Sequence, residues 1–299
     1  MKTIKVPKIY LDSSNPEETK KAKSLLGFVD GQTTNPSLVM KHPEMAKYLE
    51  SGKKITEKEL LQFYKSVILE IRKSIAGSIS VEIYADWDTK ASTILKQAEE
   101  MNSWARNLHV KFPVIPEAVK AAHEFTKHGG LANLTLVFDQ NQAAAAYMAT
   151  LHESNTNHQH AHFVSPFVGR WDDRGFLGLD LIQNIHKMYK EFDLKRNTNK
   201  SHIEILSASI RSLEHLYGSI FLGADIVTIP LKLIVEWMHA EQWVPDKKYR
   251  IESNGLKSLR YENTPFKKTY SDYTIPNVPG SLLAEGLDKF IADWKKILA

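Results

Sequence analysis

Hydrophobic and polar positions follow two alternating patterns along the chain. Short apolar runs rich in β-branched and aromatic residues are typical of buried strands, and the amphipathic stretches between them have helical spacing. The predicted strands are Ile9–Asp12, Phe28–Asn35, Ser78–Ala85, Leu108–Pro113, Leu131–Phe138, Phe163–Val168, Ile203–Ser209 and Asp225–Pro230. The predicted helices are Pro16–Leu26, Glu57–Ala76, Thr89–Ala105, Glu117–His128, Gln142–Leu151, Leu179–Glu191, Ser212–Leu222 and Leu231–Ala240.

About eight strand–helix units in series are the pattern of an α/β protein with a (β/α)8 barrel, the TIM barrel. An open doubly wound sheet is the alternative, but it rarely contains so many regular units, and no glycine-rich dinucleotide fingerprint follows the first strand. The irregular, polar stretch 241–279 predicts a long loop or a small hairpin over one end. The stretch 281–298 predicts an additional amphipathic helix, which packs on the barrel or on another subunit. We therefore expect one barrel domain over residues 1–299.

The alternation of side chains along each strand predicts which residues point into the barrel. Between Ile203 and Ser209 it directs Leu206 and Ala208 outwards, and Ser207 and Ser209 inwards. Applied to the other strands, it places a polar set near their C-terminal ends. The predicted inward set is Asp12, Glu82, Lys111, Asn133, Thr135, Ser165 and Ser209. A barrel without a reaction centre fills its interior with branched apolar side chains, so this set favours an active site.

Lys111 is the most informative member of this set. It alternates with Val110 and Phe112, which must face a packed layer, so the lysine points the other way. Lysine is almost never buried without a reason, and the C-terminal ends of parallel strands are where ligands bind. A desolvated lysine gives up its proton more readily and can attack a carbonyl group as a free amine. The bland alternative is a lysine that only extends to solvent from the strand end.

Composition narrows the function further. The 299 residues carry a formal net charge of +4 and no basic run interleaved with aromatic residues, so nucleic acid is not the expected partner. Cysteine is absent, which excludes disulfides and a thiol nucleophile. Neither a signal peptide nor a membrane-spanning run is found, so we expect a cytoplasmic protein. His152, His158, His160 and His162 suggest a metal cluster, but the last three precede a strand at the end opposite the usual active site and are interpreted as a connecting loop. The pair Asp172 and Asp173 also suggests a metal, but no further residue stands at ligand spacing.

Several motifs, one at each of several strand ends, resemble those of transaldolase. They are Thr33-Thr34-Asn35-Pro36-Ser37, Val81-Glu82-Ile83-Tyr84-Ala85, Lys111-Phe112-Pro113, Asn133-Leu134-Thr135-Leu136, Ser165-Pro166-Phe167-Val168-Gly169-Arg170 and Ala208-Ser209-Ile210-Arg211. Each motif is weak alone, but their order and spacing together are specific. The resemblance covers roughly residues 9–240, and residues 282–294 are similar to the terminal helix of that family.

The resemblance implies a Schiff-base aldol mechanism without a metal or other cofactor, since an iminium ion serves as the electron sink. By position, Lys111 matches the Schiff-base lysine, and Asp12 matches the acid/base at the C4 hydroxyl of the donor. Glu82 and Thr135 match the pair that holds a catalytic water. The positions that match substrate-binding residues are Asn35, Asn133 and Ser165 around the dihydroxyacetone moiety, Arg170, Ser209 and Arg211 at the phosphate, and Phe167. Guanidinium groups suit phosphate because they bind its oxygens bidentately.

The implied activity is the transfer of a dihydroxyacetone unit from sedoheptulose 7-phosphate or fructose 6-phosphate to an aldose phosphate in the pentose phosphate pathway. Fructose 6-phosphate aldolase is the nearest alternative, but those relatives carry Gln where Glu82 stands and Tyr where Phe167 stands. A catalytically silent barrel that binds sugar phosphates is the alternative of another class. The intact lysine and both carboxylates argue against it.

Overall fold

The computed structural model describes residues 5–152, 161–198 and 200–298. Within these ranges, eight parallel strands close into a barrel in the order β1-β2-β3-β4-β5-β6-β8-β9. The barrel strands are β1 (Lys8–Asp12), β2 (Gly31–Thr33), β3 (Ser78–Glu82), β4 (Leu108–Pro113), β5 (Ala132–Val137), β6 (His162–Pro166), β8 (Ile203–Ser207) and β9 (Ile226–Ile229). The predicted (β/α)8 barrel is therefore confirmed. The second predicted strand is shorter than the sequence indicated, because only Gly31–Thr33 pair with both neighbours.

Helices surround the barrel, and most begin at a residue suited to capping. The helices are α1 (Pro16–Leu26), α2 (Pro36–Met40), α3 (Pro43–Glu50), α4 (Glu57–Ser74), α5 (Ala91–Asn102), α6 (Pro116–Lys127), α7 (Gln140–Thr150), α8 (Val168–Asp172), α9 (Leu179–Lys195), α10 (Leu213–Leu222), α11 (Leu231–His239) and α12 (Leu282–Lys295). In α1 the Asn15 side chain accepts the Glu17 N–H, and Gly27 ends the helix in the left-handed region at φ 77°. In α4 Thr56 and Glu59 form a capping box. None of the described helices is long and apolar enough to span a membrane.

The main hydrophobic core lies between the barrel and the helices, and a small second cluster lies inside the barrel. The inner cluster consists of Tyr10, Phe163, Leu206, Ala208 and Ile226. The prediction that Leu206 and Ala208 point outwards is therefore wrong. The strand Ile203–Ser207 carries apolar residues on both faces, so alternation alone did not fix its orientation.

Ser207 was predicted to face inwards, but it faces α10. Its hydroxyl lies 2.8 Å from the Ser219 hydroxyl on that helix. Ser209 nevertheless lines the cavity at the mouth of the barrel, the end where the strand C-termini lie. The chain takes a left-handed turn at Ser209, with φ 58°. The strand ends at Ser207, so strict alternation no longer applies at this position.

The stretch 241–279 forms no hairpin. Its only strand, β10 (Lys257–Ser258), pairs in parallel with the two-residue β7 (Phe176–Leu177), and a short 3₁₀ turn follows at Tyr270–Asp272. The stretch packs along the outside of the barrel, where Phe266 stacks on Phe192 of α9 with ring centroids 3.7 Å apart. The Gln140 side chain of α7 accepts the Glu262 N–H at 2.6 Å. Further contacts join Tyr270 to His123 of α6 and Trp243 to Tyr217 of α10, so the stretch lies along the flanks of several helices rather than over one end.

The terminal helix α12 packs on its own barrel. Ser37, in α2, donates a hydrogen bond to Asp293, and Trp294 stacks on Tyr84 at 6.2 Å between centroids. Phe290 and Lys289 of α12 line the cavity at the mouth. The helix therefore forms part of the wall above the strand ends.

Candidate active site

Lys111 lies in β4, whose six residues are all buried. Its Nζ lies 2.8 Å from Oε2 of Glu82 and donates a hydrogen bond to the Thr34 carbonyl at 3.2 Å. The barrel register pairs Glu82 directly with Lys111 across β3 and β4, so adjacent strands bring the amine and the carboxyl group together. Both side chains are almost completely buried, at 5% and 2% exposure.

Glu82 is a carboxyl group with little solvent around it. Burial raises its pKa above the usual range, and the opposing charge of Lys111 only partly offsets this effect. A carboxyl group whose neutral form is favoured in this way can act as a general acid towards a neighbouring group. The pair can therefore exchange a proton, which a free-amine nucleophile requires.

Asp12 ends β1 and faces the same cavity. Surrounding protein atoms desolvate it and raise its pKa, whereas the Thr33 hydroxyl and the charge of Lys111 act in the opposite direction. Thr33 donates to Oδ1 of Asp12 at 2.7 Å, and the Thr228 hydroxyl lies 2.6 Å from that of Thr33. This chain of hydroxyls fixes the carboxylate and leaves its second oxygen for another partner. Neither Thr228 nor the contact of Thr33 with Asp12 was predicted.

Asn133 and Ser165 form a buried polar floor next to the lysine, since Asn133 pairs with Lys111 across β4 and β5. The Ser165 hydroxyl donates to the Asn133 carbonyl oxygen at 2.7 Å, and the Asn133 amide donates to the Ser80 hydroxyl at 3.1 Å. The Thr135 hydroxyl is buried and has no hydrogen-bond partner among the described residues. Because a buried hydroxyl without a partner is unfavourable, Thr135 is suited to bind a substrate or water oxygen.

The remaining predicted residues form the upper rim of the cavity. They are Asn35, Phe167, Arg170, Ser209 and Arg211. Asn35 also caps α2, since its side-chain oxygen accepts the Leu38 N–H at 2.9 Å. Burial together with the nearby charge of Arg211 lowers the pKa of Arg170. Two adjacent guanidinium groups create a positive rim that suits an anion.

Gly169 allows the two rim segments to approach each other closely. Its N–H donates to the Ser209 carbonyl at 3.0 Å. A Cβ atom at this position would lie 2.6 Å from both the Ser209 carbonyl oxygen and Nε of Arg211. A side chain here would therefore displace the loop that carries Arg211.

The cavity enclosed by these residues has a volume of about 260 Å³. Sequence reasoning missed Lys41 after α2 and Lys289 and Phe290 of α12, which also line it. No local motif marks them, because their position depends on how α2 and α12 pack over the strand ends. Nine of the eleven predicted site residues line this cavity, and the other two, Glu82 and Asn133, contact the lining residues Lys111 and Ser165. Their roles stay predictions.

Other places in the molecule are less suited to catalysis. A larger cleft of about 940 Å³ lies outside the barrel between α9 and α10, but its lysines, such as Lys187 and Lys190, are exposed. His162 is buried at the start of β6, away from the mouth, and His158 and His160 lie outside the described residues. Among the described residues, no group of three or more His, Cys, Asp or Glu could hold a metal ion.

Comparison with known proteins gives a consistent result. The family model for Transaldolase/Fructose-6-phosphate aldolase matches residues 9–299. A probable transaldolase of Leptospira biflexa is 38% identical over 222 residues, which are 74% of this chain and 86% of the relative. A probable transaldolase of Dehalococcoides mccartyi is 36% identical over 232 residues, 77% of this chain and 90% of the relative. A probable transaldolase of Geobacillus kaustophilus is 34% identical over 229 residues.

Proposed function

Because the chain belongs to the transaldolase/fructose-6-phosphate aldolase family, we propose that it is a transaldolase that works through a Schiff base on Lys111. The donor is a ketose phosphate, sedoheptulose 7-phosphate or fructose 6-phosphate. The acceptor is an aldose phosphate, glyceraldehyde 3-phosphate or erythrose 4-phosphate. The observation that carries the proposal is the buried contact of 2.8 Å between the Lys111 amine and the Glu82 carboxyl group.

In the first half of the reaction, the neutral Lys111 amine attacks C2 of the donor and forms a carbinolamine. Loss of its hydroxyl as water requires a proton, which Glu82 can supply because burial favours its protonated form. The Thr135 hydroxyl, buried near the strand ends, holds the water that relays this proton. The product of this half is an iminium ion on Lys111.

In the second half, Asp12 takes the proton from the C4 hydroxyl of the donor. The C3–C4 bond breaks, and its electron pair moves into the iminium ion to give an enamine while the aldose phosphate leaves. The enamine then attacks the acceptor aldehyde, and Asp12 returns the proton to the new hydroxyl. Water finally hydrolyses the resulting iminium ion, which releases the product ketose and restores the Lys111 amine. The iminium ion supplies the electron sink, so the sequence of steps requires no further cofactor.

The polar floor and the rim bind the two ends of the donor. Asn35, Asn133 and Ser165 hold the dihydroxyacetone hydroxyls, with Phe167 beside them. Arg170, Ser209 and Arg211 hold the phosphate. Transfer is favoured over simple aldol cleavage because Glu82 and Phe167 replace the Gln and Tyr of the aldolase relatives. A cytoplasmic location in the pentose phosphate pathway and assembly into a homo-oligomer stay predictions.

Borohydride trapping tests this proposal. The protein is incubated with fructose 6-phosphate, reduced, digested and mapped, and we expect the adduct on the peptide that contains Lys111. Erythrose 4-phosphate in a parallel reaction should yield sedoheptulose 7-phosphate. Release of free dihydroxyacetone regardless of acceptor would instead indicate an aldolase. Absence of any adduct would indicate a barrel that only binds sugar phosphates.

A further inference from the structure

The loop that carries Ser209 and Arg211 is held by side chains outside the cavity. Arg211 follows the left-handed turn at Ser209, and its backbone N–H donates to Nδ1 of His215 at 3.3 Å. Nε2 of the same imidazole lies 2.7 Å from Oδ2 of Asp172 in α8. The other oxygen of Asp172 accepts the Gly178 N–H at 2.9 Å. A continuous chain of hydrogen bonds therefore connects α8 to the Arg211 backbone.

The donors and acceptors in this chain define one tautomer of His215. Nδ1 faces an N–H donor and must accept, so the ring proton lies on Nε2, where it donates to the Asp172 carboxylate. Both ring nitrogens are engaged, so the imidazole is held at two points. Asp172 is itself held, because its second carboxylate oxygen accepts the Gly178 N–H. This geometry also explains the Asp172-Asp173 pair of the sequence without a metal ion. Asp172 orients His215, and Asp173 contacts the Arg211 side chain at 2.6 Å.

His215 and Asp172, which form this series of hydrogen bonds, are more buried than residues in ordinary surface contacts. The His215 side chain is only 12% exposed and Asp172 24%, whereas Arg211 is 45% exposed. Apart from its contact with Asp173, the half-exposed Arg211 side chain depends largely on its backbone for position. A displaced backbone would move both Ser209 and Arg211 away from the arrangement that can surround a phosphate.

We propose that Asp172 and His215 are positioning residues that hold the Ser209–Arg211 loop in the conformation that binds the substrate phosphate. The proposal rests on the proposed function for the identity of the substrate, but its central claim is about anion binding. His215 does not line the cavity that contains Lys111. Its contribution is therefore to the affinity for the phosphorylated end, not to the chemistry at Lys111.

Three substitutions of His215 distinguish a role in positioning the Ser209–Arg211 loop from a role in filling space. His215→Leu removes both hydrogen bonds. His215→Asn keeps an acceptor at the position of Nδ1, whereas His215→Gln keeps a polar group near Nε2 and loses the contact with Arg211. We expect KM for fructose 6-phosphate to rise about five- to tenfold in His215→Leu and His215→Gln, the scale of one lost hydrogen bond, with kcat little changed. His215→Asn should restore most of the affinity.

Asp172→Asn tests the tautomer. An amide nitrogen directed at Nε2 would donate and favour the proton on Nδ1, which removes the acceptor for the Arg211 N–H. We expect its KM to resemble that of His215→Gln. The control His239→Leu, an exposed histidine at the end of α11, should leave KM unchanged. Thermal melting of each variant confirms folding, and the two amide variants of His215 keep the test valid if His215→Leu does not fold.

Two further probes distinguish this proposal from the proposed function. Borohydride trapping with unphosphorylated dihydroxyacetone should proceed at the wild-type rate in all four variants. Inorganic phosphate, titrated as a stabiliser in thermal melts, should bind about five- to tenfold more weakly to His215→Leu and His215→Gln than to wild type. If wild type binds phosphate in this way but forms no adduct, the proposed function fails and the positioning role stands.

The opposite result is equally informative. Wild-type transfer together with unchanged KM and phosphate affinity in folded His215→Leu would overturn the positioning role and leave the proposed function intact. A His215→Asn variant no better than His215→Leu would also overturn it, because the Arg211 N–H would then not be the group that matters. Equal losses with fructose 6-phosphate and dihydroxyacetone would show general disruption of the site and contradict the proposal.

Discussion

Two ion pairs of similar length stand at the two ends of the same cavity. Lys111 and Glu82 lie 2.8 Å apart at 5% and 2% exposure, whereas Arg211 and Asp173 lie 2.6 Å apart at 45% and 55% exposure. Distance alone does not distinguish them. Removing one partner of a buried pair leaves an uncompensated charge and costs about 3–5 kcal/mol, but an exposed pair contributes about 0–1 kcal/mol. The buried pair therefore resists separation, whereas the exposed pair can open for a ligand.

The largest effect is expected from a substitution at the buried end of the cavity, where Lys111 lies. Lys111→Met replaces the proposed nucleophile by an uncharged side chain of similar length, which should prevent formation of the proposed Schiff base. Transfer activity should fall by at least about 10⁴-fold, and the borohydride adduct should disappear. Lys120→Met, on the exposed face of α6, is the matched control and should retain full activity. An adduct that persists at another lysine would contradict the assignment.

The two carboxyl groups beside Lys111 should affect different steps. Asp12→Asn should still accumulate a reducible adduct with fructose 6-phosphate but turn over at least about 100-fold more slowly, the scale of a lost general base. Glu82→Gln should slow formation of the adduct itself, and could increase the release of free dihydroxyacetone. Rapid-quench trapping measures both. If Asp12→Asn fails to accumulate adduct while Glu82→Gln forms it at the wild-type rate, the two roles are reversed.

Substitution of a rim residue should change the affinity for the substrate rather than the rate of the chemical step at Lys111. Arg211→Ala should raise KM for phosphorylated donors by about 10–100-fold, which corresponds to the loss of a charge-assisted contact of about 1.5–3 kcal/mol. Unphosphorylated dihydroxyacetone should be affected far less. Steady-state kinetics with both donors provide the test, and equal losses would count against a phosphate role for this residue.

Thr33 allows a test of how the activity at the buried end of the cavity depends on pH. Its hydroxyl stabilises the charged form of Asp12 and opposes the rise in pKa caused by burial. Thr33→Val removes that hydrogen bond, so the pKa of Asp12 should rise further and the acid limb of kcat/KM should move to higher pH. At neutral pH the activity should fall about three- to tenfold. Thr33→Ser keeps the hydroxyl and should retain the wild-type profile, and an unshifted limb in Thr33→Val would show that Asp12 does not control it.

The contrast between the buried end and the rim of the cavity also shows which side-chain orientations the sequence could predict. Lys111 and Glu82 were placed inside the barrel because each alternates with apolar residues that must face the helices. The same rule gave the wrong orientation for Leu206 and Ala208, since both faces of β8 carry apolar side chains and the inner cluster also requires them. Alternation is therefore informative only where one face of a strand is distinctly polar.

Residues that act through tertiary packing carried no signal of their own. Thr228 is an ordinary strand residue until β9 pairs with β1 and brings it within 2.6 Å of Thr33. Phe290 reaches the cavity only because α12 packs over the mouth. The family motifs indicated Arg211 as a phosphate ligand, but not that Asp173 would contact it. These positions depend on long-range contacts that local patterns do not encode.

The smallest effect is expected at Asp173, a carboxylate that would compete with the proposed phosphate ligand for Arg211. The hydrogen bond to Arg211 lowers the pKa of Asp173, so Asp173 is charged at neutral pH and must give up its contact before Arg211 can engage a phosphate. Asp173→Asn, the same chemical change as Glu82→Gln, should therefore lower KM for fructose 6-phosphate by about two- to threefold, consistent with an exposed pair worth less than about 1 kcal/mol. The difference between wild type and variant should shrink at high salt, because exposed charges are screened. Kinetics at low and high ionic strength measure this, with Asp288→Asn, an exposed residue of α12, as the control. A rise in KM would instead show that Asp173 holds Arg211 in its binding position, and the rim would then resemble the buried end of the cavity more closely than its exposure suggests.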